Sequence, residues 1–372
     1  MKYKDFFGNS YLQILKNGRF RNDDEFIKTV REKVTASSKK KRFGSHAAAA
    51  AVMIAAVLIG TISVGAALDW DIASLFSRSF EAVRETRSPG VRDITAFYPE
   101  LFGKINYDEA DIAAAREREY EILRTLSHNL NETVKYGDYT MHIDGYAFDG
   151  TRLDILYDLT FTNELNDDIS RKCDPRSEEY DPFLENPVYF TVYANDERIS
   201  LGGYGDMISV SENSISYRYE AEISQRGHYD SARLSTEFIR PEKATVAAFD
   251  IGLDDHPELR LDIDASLTKK LRAGERITVN NIRISPFGVV VEAETDSDIT
   301  FEAVSEMHKM PLYLICKDDS VIDVSGYGNS VLSKYEELDG GRKYVIFLSS
   351  RGKIIDINNI RTIKLYSEMI EL

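Results

Sequence analysis

Residues 139–161 read YTMHIDGYAFDGTRLDILYDLTF. Apolar and polar side chains alternate on both sides of Asp149-Gly150, with Met141 and Ile143 on one arm and Leu153, Ile155, Tyr157, Leu159 and Phe161 on the other. A period of two marks a strand with one buried face. Asp-Gly between two such runs predicts a hairpin closed by a type I′ turn, because that turn needs positive φ at both central residues. The β pattern continues at 188–193 (VYFTVY) and 215–223, with further strands expected at 244–251 and 259–267. The region is therefore expected to be mainly β.

The pattern repeats. Gly137-Asp138-Tyr139-Thr140 resembles Gly274-Glu275-Arg276-Ile277, each opening a strand pair. The run from Pro187 (PVYFTVYAND) aligns with the run from Pro311 (PLYLICKDD), and Gly203-Tyr204-Gly205 with Gly326-Tyr327-Gly328. The last two matches are offset by 124 and 123 residues and the first by 137, so the first copy carries an insertion, the acidic loop 164–186. Two tandem β-sandwich domains follow, 131–268 and 269–372, with TKKLRA (268–273) as the seam. The Gly-Tyr-Gly motifs lack the third glycine and following helix of a nucleotide loop and read as turns after strands.

Upstream the period is helical. Ile72, Leu75, Phe76, Phe80 and Val83 recur before Ser88-Pro89-Gly90, and a second helix is expected from Asp108 to Leu126. This juxtamembrane region, 69–130, reads as a stalk or a helical cap. Before it, residues 46–68 (HAAAAAVMIAAVLIGTISVGAAL) carry no charge from Ala47 onward. Such a helix rises about 33 Å, enough to cross a hydrocarbon core of about 30 Å. Lys39, Lys40, Lys41 and Arg42 precede it, and Asp69, Trp70 and Asp71 follow. The positive-inside rule then puts residues 1–45 in the cytoplasm and the β region outside, with Trp70 at the far interface. The long leading segment favours an uncleaved signal anchor over a secretory leader.

Charge divides the same way. Residues 1–46 hold 12 of the 46 Lys/Arg and 5 of the 62 Asp/Glu, so the remainder carries 34 against 57. The acidic outer portion argues against nucleic-acid binding. In the inner segment Phe26, Ile27, Val30 and Val34 form one apolar stripe on a short helix capped by Asn22 or Asp23. A lone helix of that length is marginal in water and calls for a partner.

Motifs for catalysis are missing: there is no HExxH, CxxC pair, GxSxG elbow or P-loop. Two cysteines, Cys173 and Cys316, make no disulfide framework. The acidic loop, with Asp167, Asp168, Asp174, Glu178, Glu179 and Asp181, does not match EF-hand spacing and reads as solvated. No enzyme activity and no cofactor or metal is expected.

The inner segment ending in Lys39-Lys40-Lys41-Arg42, the single anchor, the acidic helical stretch and the phrase IDGYAFDGTRL (143–153) together resemble a family of single-pass Gram-positive proteins of unknown function, encoded beside extracytoplasmic-function sigma factors and regarded as anti-sigma-like. The stretch from Gly274 to Pro286-Phe287-Gly288 resembles the family's Ig-like C-terminal domain. The resemblance implies a membrane regulator that binds a sigma factor inside and senses an envelope ligand outside. The competing expectation is a structural or adhesive envelope protein.

Overall fold

The computed structural model describes residues 71–87 and 109–372, apart from 162–171, 174–176, 179, 211–213, 224–228, 230–231, 239–243, 272–273, 296–305, 308–309, 325–330, 339–340 and 350–352. The expected cytoplasmic segment 1–45, the expected span 46–68 and Trp70 lie outside the described residues. Among those described, no helix is long and apolar enough to cross a membrane.

Helix α1 (Ile72–Arg87) and helix α2 (Glu109–Leu126) come first. Asp71 caps α1 by accepting the Ser74 amide at 3.0 Å. The strands of the first half follow as β1 (Ser127–Tyr136), β2 (Tyr139–Phe148), β3 (Arg152–Phe161), β4 (Val188–Ala194), β5 (Glu197–Arg198), β6 (Ser200–Val210), β7 (Ser214–Ile223), β8 (Ala232–Phe238) and β9 (Ala244–Ile251). Those of the second half are β10 (Leu261–Lys270), β11 (Arg276–Ser285), β12 (Gly288–Thr295), β13 (Leu312–Cys316), β14 (Val321–Asp323), β15 (Val331–Leu338), β16 (Gly341–Ser349), β17 (Ile360–Leu365) and β18 (Glu368–Glu371).

These strands build four antiparallel sheets in two sandwich-like halves. The first half pairs β1-β2-β3-β7-β6 with β5-β4-β8-β9, and the second pairs β10-β11-β12-β16-β15 with β14-β13-β17-β18. Adding nine to each strand number of the first half gives the second, so the two share one topology. Alternate residues of each strand fill separate cores. Ile155, Tyr157, Tyr217, Phe190 and Leu234 belong to the first, with Tyr157 and Tyr217 stacked at 5.0 Å. Ile282, Val291, Leu314, Ile346 and Ile363 belong to the second.

Three expectations need correction. The β2–β3 turn is not type I′ on Asp149-Gly150. Its central residues are Gly150 and Thr151, closed by Asp149 N–H to Arg152 O at 3.2 Å, and only Gly150 has positive φ, +87°. Glycine at the first central position is the type II′ pattern. The Asp149 carboxylate shifts the turn along by accepting the Thr151 and Arg152 amides.

Gly203 and Gly205 are not turn residues. They lie within β6, opposite Ala221 and Tyr219. A Cβ on Gly203 would come within 2.3 Å of the Glu220 carbonyl oxygen, so close strand approach is what requires glycine there. The matching Gly326–Gly328 lies outside the described residues.

The seam is also earlier than 268–273. Strand β10 pairs with β11 from Leu261↔Ile284 to Lys270↔Arg276, so the whole strand belongs to the second half. The connection is 252–260, where Gly252 N–H donates to Tyr146 Oη at 2.9 Å. At the other end, β1 starts at Ser127, directly after α2, and not at 131.

Candidate functional site

In β3, Leu153, Ile155, Tyr157 and Leu159 point into the first core, so Arg152, Asp154 and Leu156 occupy the other face. In β7, Ile215, Tyr217, Tyr219 and Ala221 point inward, leaving Arg218, Glu220 and Glu222 outside. The charged face of such a sheet ordinarily meets water. Here it is buried: Asp154 and Arg218 are 0% exposed and Glu220 1%. Helix α1 covers it, its Ile72, Leu75, Phe76 and Phe80 packing with Leu123 and Leu126 of α2, Leu156, and Phe287 and Ile354 of the second half. Of the two expected roles for 69–130, a cap on the sheet is what the described helices form.

The register sets Asp154 directly opposite Glu220, an unfavourable like-charge pair. Two arginines resolve it. Arg152 reaches both oxygens of Asp154, at 2.8 and 3.1 Å, and Glu220 at 3.5 Å. Arg218 bonds Glu220 and lies 3.9 Å from Asp154 and 3.8 Å from Asp206 of β6. Tyr204 of β6 donates its hydroxyl to Glu220. Aromatic rings close the cluster from above. The Arg218 guanidinium sits 4.2 Å from the centroid of Phe80, Phe80 stacks on Phe287 at 5.5 Å, and Arg152 lies 5.0 Å from Phe287. Two cations thus bracket a stacked pair of phenyl rings, each meeting the negative face of an arene.

The turn beside this cluster joins the halves. Besides Thr151 and Arg152, the Asp149 carboxylate accepts the Phe287 amide at 2.8 Å. The hydroxyls of Thr151 and Ser285 meet at 2.9 Å. Ile355 N–H donates to the Pro286 carbonyl at 2.9 Å, and Arg118 of α2 lies 3.3 Å from Asp356. A narrow cleft with room for about one water runs between Arg152, Glu222, Phe287, Val290 and Phe347.

Electrostatics follow from the burial. Desolvation opposes the Arg152 charge, but Asp154, Glu220 and Glu222 outweigh it and hold its pKa above the ordinary value. Burial raises Asp154 while Arg152 and Arg218 pull it back. Glu222 lies opposite Arg152 in the register, yet among the described residues the ion pairs of Arg152 run to Asp154 and Glu220. Burial accordingly pushes Glu222 up to about 8, against the more distant pull of Arg152 and aided by Glu220, Asp149 and Asp154. Farther along the same sheet, burial and the like charge of Asp158 push Asp144 up to about 7.

The arrangement has the chemistry of a clamp: paired charges, a roof of aromatic rings and room for little beyond a water. Among the described residues no three His, Cys, Asp or Glu side chains are grouped to hold a metal. Of the acidic loop, Asp181 caps the short 3-10 helix Pro182–Glu185, accepting the Phe183 amide at 3.1 Å. The sequence-expected partner stripe Phe26, Ile27, Val30 and Val34, and the topology-setting Lys39, Lys40, Lys41, Arg42 and Trp70, all lie outside the described residues. Sequence reasoning misses the buried charges. Their signal is the spacing Arg152-x-Asp154 and Arg218-x-Glu220-x-Glu222, which sets opposite charges on one strand face.

No known protein-family model and no curated protein matches the chain. A solved structure, described as the crystal structure of the conserved domain protein from Bacillus anthracis, is similar at a TM-score of 0.37 and 14% identity, covering 64% of this chain and 75% of that one. The likeness is distant, and no family is assigned to the chain.

Proposed function

We propose that this chain is a single-pass membrane regulatory protein of the anti-sigma-like kind. In this reading residues 46–68 anchor it in the cell membrane and the two halves are Ig-like domains that meet an envelope ligand outside. Phe26, Ile27, Val30 and Val34 hold an extracytoplasmic-function sigma factor inside. The observation that supports it is the seat of α1. This helix starts four residues after Leu68, and its apolar face is built into a joint shared by both halves. A change in how the halves meet therefore acts on the helix that leads directly to the anchor, which is how a two-state element couples distant sites. A purely structural protein needs only a tether there.

The test is capture of a cytosolic partner from membranes. Wild-type protein should retain a sigma factor, and Phe26→Ala with Val30→Ala should release it, since losing one such anchor typically costs roughly 2 kcal/mol, about thirtyfold in affinity. If the wild type retains nothing and transcription is unchanged in the variant, the reading fails and the structural or adhesive one replaces it.

A further inference from the structure

We propose that Glu222 is a proton-held catch on the joint: protonated, it lets α1 and the Pro286-Phe287 tip stay seated on the first half, and its ionisation in mildly alkaline surroundings releases them. The inference deepens the regulatory reading by giving it an input, and it rests on that reading only for the downstream consequence.

The charge inventory carries it. Four carboxyls, the buried Asp154, Glu220 and Glu222 and the partly exposed Asp206, share this face with two buried guanidiniums, Arg152 and Arg218. Two cations leave two of the four carboxyls in excess: ion pairs tie the guanidiniums to Asp154, Glu220 and, at 3.8 Å, Asp206, whereas among the described residues none reaches Glu222. An ionised carboxylate without a close cation is costly to bury, and it takes up a proton instead. Glu222 is 6% exposed and stands in the wall of the small cleft, so a water can bring or remove that proton.

Among the described residues its surroundings offer little else to neutralise it. From β3 it faces Arg152 and Asp154, from its own strand Glu220, and from the β2–β3 turn Asp149. Asp206 and Tyr204 of β6 engage Arg218 and Glu220. Across the cleft the second half presents Phe287, Gly288, Val290 and Phe347, none of them titratable. On α1, Glu81 acts on Arg78 and lies 3.8 Å from Arg116 of α2.

The sign follows from burial, which raises Glu222 from 4.5 to about 8 in the folded chain. The raised group holds its proton more tightly when the joint is closed. Its support for closure is complete below pH 4.5, falls as pH rises and is gone above about 8.

The experiment is hydrogen–deuterium exchange on the full chain in detergent at about pH 6.5 and about pH 8.5, corrected for intrinsic exchange and read by mass spectrometry. Peptides spanning 72–82 and 283–290 report the joint. In the wild type they should exchange roughly tenfold faster or more at the higher pH, reversibly, the scale expected when a raised carboxyl crosses its pKa. Glu222→Gln should keep them protected at both. Should that variant not fold, Glu222→Met, uncharged and of similar volume, replaces it. Equal wild-type protection at both pH values, or opening of the uncharged variant along with the wild type, overturns the proposal. Partner capture is measured separately, so a silent joint and a missing sigma factor cannot be mistaken for each other.

Discussion

A guanidinium with no exposed surface, as at Arg218, is sustained by what surrounds it: Glu220, the more distant Asp154 and Asp206, and the face of Phe80. Buried ion pairs of this kind add little net stability over an apolar replacement, because desolvation offsets the attraction. Removing one partner is different, since it strands the others. Arg218→Met should therefore cost about 3–5 kcal/mol in denaturant unfolding of the full chain. Adding Glu220→Gln to it should recover part of that loss, the non-additivity expected within one network. A double variant whose loss equals the sum of the two singles would mean that the two side chains do not share a network. Nothing in the alternation of β3 or β7 reveals this burial. The period of two assigns Arg152, Asp154, Arg218 and Glu220 to one face correctly, but a local pattern carries no information on what covers that face.

At the scale of elements, α1 shows how a cap can be both built in and releasable. Its apolar residues at 72, 75, 76 and 80 make the helix legible in the sequence, and Asp71 marks its start. Its seat is less legible, because it joins α2, the outer face of a sheet and a hairpin tip more than 200 residues away in sequence. Under the helix lie charges that water would solvate well beside an apolar patch of Leu156, Ile208, Phe287 and Ile354, and the two sandwich cores are clusters separate from it. Phe80 is the ring on which the seat turns, 1% exposed and stacked between Arg218 and Phe287. Phe80→Ala should remove about 3–5 kcal/mol of packing, which is enough to free a single element. Trypsin should then cut after Arg78 much faster than in the wild type, while fragments from both sandwiches stay resistant. Equal cleavage of α1 and of the strands would instead show one cooperative unit.

In the molecule as a whole the two halves meet through equivalent parts. The tip Asp149-Gly150-Thr151-Arg152 corresponds by register to Ser285-Pro286-Phe287-Gly288. Asp149 accepts from Phe287 while Ser285 meets Thr151, so each contact is matched by its counterpart with the roles exchanged. That reciprocity is the mark of an isologous interface, here formed within one chain between two copies of a repeat. The repeat itself is legible from Pro187 and Pro311, which precede the equivalent strands β4 and β13. The seam is not, because β10 alternates as regularly as any strand of the first half and only its partner, β11, tells to which half it belongs. That difference can be measured. A fragment of residues 261–372 keeps all nine strands of the second half, whereas one of residues 269–372 removes most of β10 and uncovers the β11 edge. The longer fragment should unfold cooperatively with a β-rich spectrum. The shorter one loses Leu261, Ile263, Ala265 and Leu267, which pack against the second core, and bares a strand edge prone to pairing with other chains. It should be less stable by several kcal/mol and should aggregate as it is concentrated, the combined effect of lost apolar contacts and an open edge. If the two fragments are equally stable and equally soluble, β10 is no part of the second core and the boundary belongs at 268 after all.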